Sequence, residues 1–201
     1  MRLLITGFEP YLEYHENSSW VVAEQVSARG VAGCDVVAEQ MPVSFMRVGK
    51  ALREAVERHN PDVVIMLGQS GGSDRVKLER AALNMMDARN PDNDSLRPDE
   101  EPISADAPAA LFTPMPIKRL RTAIESAGVA VKISNSAGLY VCNRLYFEAL
   151  RMCGERGAMR ALFVHLPYYE GQPSAKINKP TLPVDSMVKA IQTIIEELNN
   201  D

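Results

Sequence analysis

Five short apolar runs punctuate the chain, at residues 2–6, 35–40, 62–67, 129–134 and 161–165, and between them apolar positions recur every three to four residues. Val63-Val64-Ile65-Met66-Leu67 and Ala161-Leu162-Phe163-Val164 are apolar without interruption, the pattern of a strand covered on both faces. Both are expected at the centre of a sheet. Ser18 or Ser19 can cap a helix running to about Ala28, and residues 46–58 put Leu52, Ala55 and Val56 on one helical face. Pro116 suits the first turn of a helix that reaches Ala127 and is stopped by Gly128. A further helix should follow Gly138 with Leu145, Phe147, Leu150 and Arg151, and a last one, over residues 185–198, gathers Met187, Ile191, Ile194, Ile195 and Leu198 on one side. Strands alternating with helices predict the α/β class: a three-layer α/β/α fold with a twisted, mostly parallel central sheet, spanning residues 1–201 as a single domain. Residues 84–113, rich in Pro, Asp and Glu, and residues 169–183, rich in Pro, Gly, Lys and Ser, fit neither period. Loops of that length in a compact domain are either mobile or part of a site.

Composition narrows the function classes. The 201 residues, 46% hydrophobic and 24% charged, suffice for a real core. The net charge of -4, with both signs mixed along the chain, leaves no basic stripe for phosphates, so nucleic acid is not an expected partner. The apolar run after Met1 is broken by Gly7 and Pro10, too early for a signal peptide, and no stretch approaches the roughly 20 apolar residues of a membrane span. A soluble, cytoplasmic protein is expected. Cys34, Cys142 and Cys153 are odd in number and lack CxxC spacing, and only three histidines accompany them. Neither a disulfide framework nor a metal site is predicted, and reduced thiols are the natural state.

Two residues stand where chemistry is commonly placed. Cys142 follows Ser134-Asn135-Ser136-Ala137-Gly138-Leu139-Tyr140-Val141, a strand-to-helix turn, so its thiol would feel the positive end of a helix dipole, which favours thiolate and nucleophilic attack. A small buried hydrophobe is the competing reading, and it suits Cys34 and Cys153 better. His165 closes an apolar strand and is delivered to the sheet edge where open α/β folds bind ligands. There it could act as base and then acid, or simply be structural; His15 and His59 lie in polar surroundings. A carboxylate to hold the imidazole could come from Glu79 or Asp92, which spacing does not separate. Gly68-Gln69-Ser70-Gly71-Gly72-Ser73 lets backbone approach a ligand but lacks the Lys-Ser/Thr of a phosphate-binding loop.

Taken together, Thr6-Gly7-Phe8-Glu9-Pro10, Gln40-Met41-Pro42, residues 61–72, Glu79-Arg80, Asp87-Ala88-Arg89-Asn90-Pro91-Asp92-Asn93, residues 134–143 and Val164-His165-Leu166-Pro167-Tyr168 resemble the pyroglutamyl peptidase I family, also called pyrrolidone carboxyl peptidases. The resemblance runs in order along nearly the whole chain. It implies a cysteine peptidase that removes an N-terminal pyroglutamyl residue through a thioacyl intermediate, with a triad of Cys142, His165 and Glu79 and no metal or other cofactor. It also implies a substrate pocket of Phe8, Tyr11, Val43, Gln69, Asn90, Tyr140 and Val141, with Arg89 and Asp92 in support. Its partner would be a peptide beginning with pyroglutamate, and a homo-oligomer, a tetramer, is the implied assembly. The neutral lactam of such a substrate calls for a largely apolar pocket with a few hydrogen bonds.

The sequence departs from the family pattern after Pro10, where Tyr11-Leu12-Glu13 replaces the usual Phe-Gly-Gly, and at Asn90, which replaces an aliphatic residue. These changes bear on the pocket wall and leave the three triad positions intact. The alternatives are a relative that binds a lactam or peptide end without hydrolysis, and a hydrolase of another cyclic amide.

Overall fold

A computed structural model describes residues 1–172 and 178–200. In chain order the elements are β1 (Arg2–Phe8), α1 (Ser18–Arg29), β2 (Asp35–Met41), α2 (Val48–His59), β3 (Val63–Gln69), β4 (Val76–Glu79), β5 (Ala81–Leu83) and β6 (Ala110–Phe112). They continue with α3 (Ile117–Ser126), β7 (Val131–Ser134), α4 (Val141–Arg156), β8 (Arg160–Leu166), β9 (Tyr168–Tyr169), β10 (Thr181–Leu182) and α5 (Val184–Asn199). Six strands form one sheet in the order β2-β1-β3-β8-β4-β7, and β3 and β8, the two uninterrupted apolar runs, are its central pair. Every neighbouring pair is parallel except β4 with β8. The mostly parallel α/β/α architecture is therefore as the sequence predicts.

Each sheet face carries its own core. Leu3, Ile5, Val63, Ile65, Leu162 and Val164 pack with α1, α3 and α5 on one side. Leu4, Val64, Met66, Ala161 and Phe163 pack with α2 and α4 on the other. That division is the two-residue alternation of a strand read on both faces. The bounds expected for α1, α2, α3 and α5 fall within two residues of those found, except that α1 is capped by Asn17 rather than by either serine: Asn17 Oδ1 accepts from the Ser19 amide at 3.1 Å, and both serines are buried inside the helix start.

Three short pieces escaped the periodicity. Val76-Lys77-Leu78-Glu79 alternates apolar and charged side chains over only four residues, which reads as a polar loop. It becomes β4 because Val76 and Leu78 enter the core under α3 and α5, while Lys77 and Glu79 project from the opposite face. The stretch expected as a loop over residues 84–113 holds β6, which pairs antiparallel with β5, and a bridge between Met86 and Glu101. The loop expected over residues 169–183 lies partly outside the described residues, and its described ends pair as β9 and β10.

Candidate active site

Three strand ends and one helix start meet at the carboxyl edge of the central strands. On β3, Gly68 is in register with His165 of β8; on the other side of β8, Lys77 of β4 stands opposite the same histidine. Residues paired in this way project from one face of the sheet. Glu79, two residues beyond Lys77, shares that face, and its Oε1 lies 2.8 Å from His165 Nδ1. Both residues are buried, at 1% and 8% exposure. An ionised carboxylate only accepts, so the proton of the neutral imidazole is assigned to Nδ1 and the lone pair to Nε2. The ring of Phe163 packs 4.8 Å from that of His165 and limits its rotation.

Cys142 is the second residue of α4, and its thiol hangs over Gly68. A Cβ built on Gly68 would lie 3.1 Å from Cys142 Sγ and 2.7 Å from the Phe163 ring. Glycine at this position is thus a matter of space. Because Gly68 and His165 are register neighbours, the thiol over Gly68 and the imidazole lie on one face of the sheet, above strands spaced about 4.8 Å apart. At Cys142 the pull of the helix start towards thiolate meets stronger opposing influences. Burial, and then the negative charge of Glu79, push its pKa up to about 12, against a smaller opposing hydrogen bond from its own backbone N–H. Desolvation together with a nearby full charge outweighs the partial charge of a helix end. Both influences favour the protonated thiol. Asp92, the other carboxylate considered for the histidine, is engaged elsewhere, as described below.

Beside the thiol opens a pocket of about 140 Å³ lined by Phe8, Tyr11, Asn17, Val43, Gln69, Tyr140, Val141 and Cys142. Of the residues expected there, Asn90 is the exception: it lies on the adjoining groove with Asp87, Ala88, Arg89 and Leu139, which shares only the Tyr11 and Tyr140 wall. Asn90 is exposed there. Asn17, conversely, was not foreseen; an Asn directly before two serines is a helix-cap signal that could have placed it at this edge. Gln69 Oε1 accepts from the Ser18 amide at 3.0 Å and from Gln172 Nε2 at 2.7 Å, which fixes the carboxamide and leaves its NH₂ for a ligand.

The long polar loop supports the wall. Asp92, 5% exposed, accepts three backbone amides: Phe45 at 2.8 Å, and Asp94 and Leu96 at 2.9 Å each. Asn93 ties the loop to Glu9 and Pro10 at 2.9 and 3.0 Å. The carbonyl of Pro91 is thereby held in place, and the hydroxyls of Tyr11 and Tyr140 both donate to it, at 2.9 and 3.0 Å. Their rings lie 5.4 Å apart, and Phe45 meets Tyr140 edge-on at 5.1 Å. The hydroxyl that Tyr11 brings to the wall is therefore satisfied by backbone. Asn143, next to the thiol, is fully buried and bonds Leu83 N–H, Leu83 C=O and Met85 C=O at 2.8, 2.8 and 2.9 Å, fastening the first turn of α4 to β5. The amides of Asn143 and Arg144 return to the Tyr140 carbonyl. Those of Val141 and Cys142, the first two of the helix, have no intrahelical acceptor within reach.

Among the described residues no three His, Cys, Asp or Glu side chains form a cluster that could hold a metal ion, and no helix is long and apolar enough to cross a membrane.

Comparison with known proteins agrees along the full length. The sequence model of the pyroglutamyl peptidase family matches residues 1–201. A pyrrolidone-carboxylate peptidase of Gloeobacter violaceus is 36% identical over 201 residues, covering 100% of this chain and 98% of its own. One from Thermococcus onnurineus is 36% identical over 197 residues, covering 98% of each chain. Among solved structures, the pyroglutamyl peptidase I of Bacillus amyloliquefaciens superposes with a TM-score of 0.94 at 33% identity, over 100% of this chain and 97% of the other.

Proposed function

This chain belongs to the pyroglutamyl peptidase family, and from that premise we propose that it removes N-terminal pyroglutamyl residues from peptides with Cys142 as nucleophile, His165 as general base and acid, and Glu79 as the group that orients the imidazole. The observation that carries this reading is the buried Glu79–His165 pair at 2.8 Å, on the same sheet face as a thiol at a helix start. With Nδ1 donating to Glu79, Nε2 takes the proton of Cys142 as sulfur attacks the pyroglutamyl carbonyl. The oxyanion develops near the first-turn amides of Val141 and Cys142. The imidazolium next to Glu79 returns the proton to the departing amine. Water then enters, gives a proton to Nε2 and opens the thioester; pyroglutamate leaves and the thiol re-forms.

The pyroglutamyl ring is neutral and has no free ammonium. In the pocket it would lie among Phe8, Tyr11, Val43, Tyr140 and Val141, with Gln69 available to its lactam. A peptide with a free N-terminus would bury an unpaired ammonium there, at a cost of several kcal/mol. Arg89, Asn90 and Asp92 act as support from the flanking loop. We further place the protein in the cytosol, where its three free thiols stay reduced, and expect a homo-oligomer, a tetramer, by likeness to its family.

The test is release of aminomethylcoumarin from its pyroglutamyl amide beside the alanyl amide. The pyroglutamyl amide is turned over and the alanyl amide is not, and Cys142→Ala abolishes turnover. Folded parent protein without activity, yet stabilised by pyroglutamate, would favour the non-hydrolysing alternative.

A further inference from the structure

Lys77 has no part in the mechanism above, yet it stands beside the group that hands a proton to the leaving amine. The β4–β8 register places it directly opposite His165 and on the same face, where paired Cβ atoms are about 5 Å apart. It is nearer the mouth than Glu79, because β4 runs antiparallel to β8 and Leu78, not Lys77, pairs with Val164. Its Nζ donates to Ser70 Oγ at 2.8 Å, two residues beyond the glycine under the thiol. The amine is partly buried, and among the described residues no carboxylate lies within ion-pair distance of it. Burial, then the charge of its register neighbour Lys132, lowers its pKa, while Glu79 and Asp74 act in the opposite sense. A partly desolvated ammonium held by one hydroxyl keeps two donors for a further partner.

The sheet order says on which side of the scissile bond that partner would lie. The pocket beside Cys142 is built from β1, the segment after β2, the end of β3 and the start of α4. The acyl half of the substrate therefore occupies the β1–β3 side. The leaving amine must reach His165 Nε2, on β8, and the residue that follows the scissile bond extends toward β4.

We propose that Lys77 is a specificity-determining residue of the leaving-group side, and that it selects substrates carrying a carboxylate on the first residue after the pyroglutamyl group. This rests on the proposed activity. Two sources share that chemistry: the terminal carboxylate of a pyroglutamyl dipeptide, and the side chain of Asp or Glu. The Ser70 hydroxyl orients the ammonium, and a carboxylate completes its coordination with a charge-assisted bond in a partly dry setting.

The test compares kcat and KM on four substrates in the parent, Lys77→Met and Lys77→Arg, with thermal melts as the folding control. Pyroglutamyl-alanine against its amide isolates the terminal carboxylate, and pyroglutamyl-glutamate amide against pyroglutamyl-glutamine amide isolates the side chain. The parent is expected to prefer one or both carboxylates by on the order of tenfold in kcat/KM, the worth of one such contact, mainly through KM. Lys77→Met should bring that ratio near one, and Lys77→Arg should keep most of it. Equal rates on carboxylate and neutral partners in the parent would overturn the proposal while leaving the peptidase reading intact. So would a loss in Lys77→Met that is the same on all four substrates, since that describes a residue positioning His165. No turnover of any pyroglutamyl compound would overturn both.

Discussion

Glu79 acts on Cys142 in two opposing ways, and a single substitution separates them. Its charge raises the thiol pKa, while in the proposed mechanism its bond to His165 Nδ1 makes Nε2 the base. Glu79→Gln preserves the shape and removes the charge. Alkylation of Cys142 by iodoacetamide should then reach its half-maximal rate at lower pH than in the parent, because the thiolate is no longer opposed by a neighbouring anion. Turnover of the coumarin amide should nevertheless fall by about 10²-fold or more, because the imidazole loses the acceptor that fixes its tautomer and stabilises its cation. An alkylation profile that stays in place would mean that the charge is not felt at sulfur. On the pocket wall, Tyr11→Phe removes one of two hydroxyls on the Pro91 carbonyl. A neutral hydrogen bond is worth about 1 kcal/mol, so KM for pyroglutamyl substrates should rise roughly fivefold, with a smaller effect on kcat. An unchanged KM would show that Tyr140 alone holds the wall.

At the scale of elements, the site depends on how closely α4 can approach the sheet. Gly68 lies under the α4 thiol, and Gly68→Ala puts a methyl 2.7 Å from the Phe163 ring and 3.1 Å from Cys142 Sγ. Overpacking of this kind costs about 1–3 kcal/mol, and it displaces the thiol and the ring that braces His165 together. The variant should fold with a lowered Tm and lose at least about tenfold in kcat; parent-like kcat would mean that α4 can shift without misplacing sulfur. The same elements explain what the sequence discloses. Central strands and helices are legible because their apolar faces must be buried, and that requirement leaves a period. Strand β4 is not, because two of its four residues are Lys77 and Glu79, spent on the site rather than on the core. Cys142 and His165 are legible as positions, a helix start and a strand end. The pairing of His165 with Glu79 is not, since the register that brings β4 beside β8 is antiparallel and joins segments 86 residues apart. The pull of the helix start on Cys142 is visible in the sequence because a helix dipole is local, whereas desolvation and the approach of Glu79 exist only after folding.

For the molecule as a whole, the ionisable groups displaced upward share one sign. Burial raises Cys142 to about 12 and Cys153 to about 11. Burial and then Glu16 raise Tyr169 to about 12, and burial foremost holds Tyr140, Tyr146 and Tyr168 higher still. Each folded-state pKa exceeds that of the unfolded chain, about 8.5 for Cys and 10 for Tyr. The folded form therefore retains protons that the unfolded form releases, and the corresponding stability is complete below about pH 8.5 and drains away as pH climbs toward 12. The groups displaced to about 2, Asp74 beside Arg75 and Asp94 beside Arg47, belong to exposed pairs that water screens and add little at the acid end. The stability curve should accordingly be lopsided, with Tm falling by about 5 °C or more between pH 8 and pH 10.5. Cys142→Ala removes one contributor, so its Tm should fall less steeply over the same interval. A parent Tm that is flat to pH 10.5, or a Cys142→Ala variant that tracks it in parallel, would mean that these groups reach water before the protein unfolds and that the thiol is far less desolvated than its place above Gly68 implies.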